Sequence, residues 1–78
     1  MSKVDEMFKE LGYDMTIINE RGIDTITFRK KEQLKNGTRN QIIEFNNRDK
    51  ELYIHNSIGA QEYIAIHQKI LELGWLDE

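Results

Sequence analysis

The hydrophobic positions of this chain change period twice, and the changes divide it into a helix, a run of strands and a second helix. Val4, Met7, Phe8 and Leu11 recur at i, i+3, i+4 and i+7, the stripe of an amphipathic helix. Ser2 stands at its N-cap, Asp5 and Glu6 fall in the first turn where the helix dipole favours acids, and Gly12 supplies the stop. From Asp14 the period becomes two. Met15 and Ile17 alternate with Thr16 and Ile18, Glu20-Arg21-Gly22-Ile23 offers a turn, and Ile26 and Phe28 alternate with Thr25, Thr27 and Arg29, which predicts a hairpin. Residues 31–38 are mostly polar and read as a longer connection that can extend the strands towards a tight Asn36-Gly37 tip. A third strand is predicted over 39–45, a turn at Asn46-Asn47-Arg48-Asp49 and a fourth strand over 51–55.

The helical period returns over 58–75. With Gly59 as N-cap, Ile58 and Tyr63 are spaced for a hydrophobic staple, and Glu62 at the third helical position can reach back to the cap amide, half of a capping box. At about 100° per residue, Tyr63, Ile64, Ile66, His67, Ile70, Leu71 and Leu73 occupy one half of the cylinder. Gln61, Glu62, Ala65, Gln68, Lys69 and Glu72 take the other, so the first set is predicted to be buried. Gly74 ends the helix, and Trp75 just beyond it is expected to fold back on the last turn, where its loss would be among the most damaging single changes. Glu10-Leu11-Gly12-Tyr13 and Glu72-Leu73-Gly74-Trp75 repeat one device for ending a helix.

Four short strands joined by short polar turns make an antiparallel meander, because parallel pairs would need crossovers for which there are no residues. Its inner face collects Met15, Ile17, Ile26, Phe28, Ile43, Phe45, Leu52 and Ile54. Both helices can cover that face, which predicts a single α+β domain over 1–78, a four-stranded antiparallel β-meander with N- and C-terminal helices packed on one face, of order α-β-β-β-β-α. The outer face gathers Thr16, Ile18, Thr25, Thr27, Ile42, Glu44, Tyr53 and His55. It reads either as the solvated back of an open sheet or as a docking or homodimer surface.

A chain of 78 residues buries only about 60% of the surface that its unfolded form exposes, so modest stability is expected. There is no cysteine, which excludes a disulfide framework and thiolate metal sites and fits a reducing compartment. The first residues carry acids where a signal peptide needs an apolar core, and no run approaches a membrane span, so the expected location is the cytoplasm. The net charge of -3 has the wrong sign for a general nucleic-acid binder. It is unevenly spread: residues 1–20 hold two bases against five acids, 21–39 six against two, and 40–78 three against seven. The basic middle, with Arg29, Lys30, Lys31, Lys35 and Arg39, reads as a hairpin loop kept soluble by its charges, or as a surface for phosphates or an acidic partner. No aromatic residue interleaves these charges between Phe28 and Phe45, so stacking on single strands is not encoded there.

Catalytic chemistry finds little footing. His55 and His67 have no neighbour at ligand spacing, Ser2 and Ser57 sit beside helix starts where capping accounts for them, and the glycines stand singly at element ends instead of clustering into a phosphate cradle. The expectation is a non-enzymatic protein with no cofactor and no metal.

Three stretches carry a family likeness: Glu6-Met7-Phe8-Lys9-Glu10-Leu11-Gly12-Tyr13, the hairpin from Ile43-Glu44-Phe45-Asn46-Asn47 to Glu51-Leu52-Tyr53, and the ending from Gln61-Glu62-Tyr63-Ile64-Ala65-Ile66 to Glu72-Leu73-Gly74-Trp75-Leu76. In these the chain resembles small uncharacterised proteins encoded by phages and prophages of Gram-positive bacteria. The resemblance implies a host cytoplasm and a protein that binds a host factor to block or redirect it, inhibition of a defence nuclease of the CRISPR type being one form. The contact surface would be the outer sheet face (Ile18, Thr25, Thr27, Ile42, Tyr53) or the basic hairpin. The alternative is a nucleic-acid-associated accessory protein that uses Arg29, Lys30, Lys31, Lys35 and Arg39, with affinity falling steeply with salt.

Overall fold

The computed structural model describes residues 2–76. Its elements are α1 (Lys3–Glu10), β1 (Asp14–Glu20), β2 (Ile23–Leu34), β3 (Gly37–Asn46), β4 (Glu51–His55) and α2 (Ala60–Glu72). This is the α-β-β-β-β-α fold expected of the pattern. The strands form one open sheet in the order β1-β2-β3-β4, each antiparallel to the next. No helix among the described residues is long and apolar enough to cross a membrane.

Local chemistry sets the boundaries. Ser2 Oγ accepts the Asp5 amide at 3.1 Å, capping α1. Arg21 and Gly22, both at positive φ (51° and 79°), form the two-residue turn that matches the strand twist between β1 and β2. The second hairpin takes the extended form of the expected connection, with its tip one residue earlier: β2 and β3 run on through most of 31–38 to a two-residue turn at Lys35-Asn36, and Gly37, at φ 144°, opens β3. β1 stops opposite Arg29 and β4 opposite Ile42, so the five pairs from Lys30↔Gln41 to Leu34↔Gly37 extend alone as a two-stranded arm. The molecule is accordingly elongated, 44 × 27 × 22 Å.

The register puts Met15, Ile17, Ile26, Phe28, Ile43, Phe45, Leu52 and Ile54 on one face, as predicted. Only the middle of that face is sealed. Phe28, Ile43 and Phe45 are buried, whereas Ile17, Leu52 and Ile54 on the edge strands remain exposed because two helices are too narrow to roof four strands. Phe8 is the centre of the core. Its ring stacks on Phe28 at 3.9 Å between centroids and meets Tyr13 and Phe45 edge-on at 5.9 and 6.2 Å.

The second helix lies with a different side down from the one its hydropathy predicts. Ala65, Ile66 and Lys69 are buried and Glu62, Ile70 and Leu73 half-buried, while Tyr63 (63% exposed), Ile64, His67 and Leu71 face outward. The staple expected between Ile58 and Tyr63 is therefore not the anchor of this end. The reason is the neighbouring helix: Ala65 has no bulk to hold the helices apart, and Lys69 Nζ, inside the fold, donates to Asp5 Oδ1 at 2.8 Å and Glu72 Oε2 at 2.9 Å. Burial alone would lower the Lys69 pKa, but its hydrogen bonds to the two carboxylates outweigh this and raise it. The charged form thus stabilises the fold up to the ordinary lysine range, and that contribution is lost as pH rises through the raised value.

Trp75 folds back as expected, with its Nε1 donating to Asn47 Oδ1 at 2.6 Å and its ring 5.9 Å from Phe45, yet it is only half-buried. Phe8→Ala is therefore expected to cost more, about 3–5 kcal/mol, than Trp75→Ala, about 2–3 kcal/mol for a partly buried ring and one hydrogen bond. Urea titrations of the two variants check the order; an equal or larger loss for Trp75→Ala would contradict it.

Candidate functional site

The outer face of the sheet is laid out by the strand register as rows that cross all four strands. One row runs Asp14, Arg29, Ile42, His55; the next Thr16, Thr27, Glu44, Tyr53; the third Ile18, Thr25, Asn46, Glu51. The sequence-predicted group Ile18, Thr25, Thr27, Ile42 and Tyr53 is thereby brought onto one surface. Both helices pack on the other side, against the core.

This surface has a closed centre and open margins. Thr27 is only 4% exposed although no element covers it; flanking side chains close around it, and its Oγ1 donates to Glu44 Oε1 at 2.8 Å. Tyr53, 54% exposed, stacks almost parallel on His55 with centroids 6.5 Å apart, its hydroxyl 3.5 Å from His55 Nδ1. Ile18 and Ile23 are exposed at the opposite margin. Where the arm leaves the body, Asp14, Arg29, Lys31, Asn40 and Ile42 line a shallow hollow of about 300 Å³.

The five basic residues do not form one patch. Arg29 and Lys31 lie on the outer face and Lys35 in the turn at the tip, all exposed. Lys30 and Arg39 lie on the inner face and hold the base of the arm to the start of α2. Lys30 Nζ sits 3.3 Å from Glu32 Oε1 and 3.4 Å from Glu62 Oε2, and 4.7 Å above the Tyr13 ring. Arg39 Nη2 donates to the Ser57 carbonyl at 2.7 Å, to Ser57 Oγ at 3.3 Å and to Gln41 Oε1 at 3.2 Å, while buried Gln41 donates to the Asn56 carbonyl at 3.4 Å. These two residues brace the fold, and Ser57 serves the same brace.

Glu62 is the hinge of that bracing. Its Oε1 accepts the Gly59 amide at 3.1 Å, the half capping box expected, and its Oε2 accepts from the Tyr13 hydroxyl and from Lys30 Nζ, each at 3.4 Å. Burial would raise its pKa, but the backbone amides and Lys30 prevail and lower it. Burial, together with the adjacent Glu62 charge, pushes the Tyr13 hydroxyl well above the usual tyrosine range. Tyr13 is accordingly a neutral donor here. Among the described residues, no group of three His, Cys, Asp or Glu side chains is gathered as metal ligands would be.

One exposed apolar surface was assigned to the core by sequence reasoning. Ile64 lines a groove of about 580 Å³ between the helices with Val4 and Met7, rimmed by Lys3, Glu6, Glu10 and Gln68. The signal that could have found it is the Ala65 and Lys69 pair, four residues apart, which marks the side where a second helix approaches closely.

No family model, curated protein or solved structure matches the chain.

Replacing Glu62 by Gln should cost about 1–2 kcal/mol at pH 7, through a weakened cap and the loss of the Lys30 pair. Because the Glu62 pKa is lowered by folding, this stabilisation is present above the ordinary carboxylate range and fades as pH falls through the lowered value. Urea midpoints of the wild type and Glu62→Gln should therefore differ at pH 7 and converge as pH falls below the ordinary carboxylate range. A gap independent of pH would show that the Glu62 charge is not what holds the brace.

Proposed function

We propose that this chain is a non-catalytic protein-binding module that meets its partner through the outer face of the sheet. The observation that carries this reading is Tyr53. A large aromatic side chain with a polar tip stands exposed on an uncovered sheet face, beside Thr27 and Glu44, whose mutual hydrogen bond fixes the floor. Rigid exposed aromatics of this kind supply much of the energy of protein interfaces at little conformational cost. Thr25, Ile42 and Ile18 extend the same surface with small or apolar groups.

The nucleic-acid reading is weaker because Lys30 is engaged with Glu62 and Arg39 with the Ser57 carbonyl of the same chain. Of the others, Lys35 stands alone at the tip, and Arg29 and Lys31 share the outer side with Asp14, Glu44 and Glu51, so a phosphate backbone would meet mixed charge there. The likeness to phage-encoded proteins makes a bacterial host protein the partner to look for, with steric blocking, for instance of a defence nuclease, as the mechanism.

The test is capture from lysate of a Gram-positive host with tagged wild type, Tyr53→Ala and Lys31→Glu/Lys35→Glu, each with and without nuclease. Lys30 is left intact because it braces the fold. A host protein retained after nuclease treatment, reduced about tenfold or more by Tyr53→Ala and unaltered by the lysine pair, is the expected result. Loss of the captured material on nuclease treatment, or on replacing the two lysines alone, would transfer the function to the arm.

A further inference from the structure

The free edge at β4 is complementary to itself. β4 ends the sheet, all five of its residues are exposed, and alternate residues of an edge strand turn their N–H and C=O groups away from the neighbouring strand. In an antiparallel pairing of β4 with a second β4 about a two-fold axis at Tyr53, Glu51 stands opposite His55, Leu52 opposite Ile54, and Tyr53 opposite Tyr53. This is the one antiparallel register that pairs all five residues. It sets acid against imidazole twice on the outer face and apolar against apolar twice on the inner face.

We propose that the chain forms a homodimer by this β4 to β4 pairing, joining two four-stranded sheets into one of eight strands with all four helices on the same side. The partner is a second copy, and three observations support it. Among the described residues, the Glu51 carboxylate has no hydrogen-bond partner within its own chain and the His55 ring is met only at Nδ1, by Tyr53, leaving Nε2 for the partner's Glu51. Leu52 and Ile54 lie on the inner face yet beyond the cover of α2, so pairing removes apolar surface that the monomer leaves wet. The opposite edge lacks this complementarity: β1 carries acids at both ends, Asp14 and Glu20, and no cation, so no pairing of β1 with itself gains an ion pair.

The interface is short. Lys50 and Asn56, both at positive φ, turn the chain away at either end of β4, so the buried area falls below the roughly 1,200 Å² of a standard interface and the dimer is concentration-dependent. The inference is independent of the partner-binding reading, since it concerns the isolated protein. If both hold, the two Tyr53 side chains lie side by side at the centre of a doubled outer face.

Sedimentation equilibrium near pH 6.5 and low salt, from about 10 µM to about 1 mM, should show the mass rising from 9.3 kDa towards twice that value. His55→Glu places acid opposite acid twice and should weaken association about tenfold or more; Glu51→Lys should also weaken it; the double variant Glu51→Lys/His55→Glu restores opposite charges and should restore the dimer. Circular dichroism of each variant separates this from misfolding. A second measurement does not depend on charge. Opposed strand residues lie within disulfide reach, and the chain has no cysteine of its own, so Tyr53→Cys should oxidise to a covalent dimer while Lys35→Cys at the arm tip stays largely uncrosslinked. A monomer at every concentration, a dimer indifferent to His55→Glu, or equal crosslinking at positions 53 and 35 would each overturn the proposal.

Discussion

The stack of Phe8 on Phe28 is the contact on which the rest of this small domain depends. A helix of eight residues has no stability of its own in water, so α1 exists because its one fully buried ring is laid flat on the second strand. From that stack the core propagates by edge-on contacts, through Tyr13 on one side and through Phe45 to Trp75 on the other. The last link is polar: the Trp75 indole reaches Asn47, and Asn47 Nδ2 donates to Asp24 Oδ2 at 3.1 Å, so the segment after α2 is tied to the β3–β4 turn and through it to the start of β2.

With so little apolar material, position is fixed by charged side chains inside the margins of the core. Lys69 between Asp5 and Glu72 decides which side of α2 faces down. Lys30, on one strand of the arm, bound to Glu62 of α2, and Arg39, on the other strand, bound to Ser57 before α2, keep the long hairpin from swinging relative to the body. Breaking such partly buried pairs is expensive because one charge is left without its partner. These residues therefore belong to the architecture, and the outer face of the sheet is the one that they do not touch.

The order of elements was legible because each carries its own local signal: the stripe at Val4, Met7 and Phe8, the Arg21-Gly22 turn, the alternation through Phe28, and the half capping box at Glu62. Two features were not. The arm strands over 30–41 cover nothing, so no apolar alternation marks them, and the sequence left their length open between a polar connection and strands carried to a tight tip. The rotation of α2 was hidden because hydropathy counts Lys69 as a surface residue, while its burial depends on Asp5, far away in sequence. The same blindness affected the site. Five basic residues close in sequence suggested a patch, but strand alternation sends Lys30 and Arg39 to one face and Arg29 and Lys31 to the other. The outer-face group was recovered whole, since it follows from register alone.

The bridge between Asp5 and Lys69 spans 64 residues of chain, whereas each strand of the meander pairs with the one immediately before it. Contacts between chain neighbours lose little loop entropy and form early, while a contact that closes nearly the whole chain forms only after the intervening sheet exists. The two helices are thus the last pieces to meet and the first to part. Their bridge acts as a latch on the unfolding rate, lengthening the lifetime of the native state while leaving the speed of folding almost unchanged.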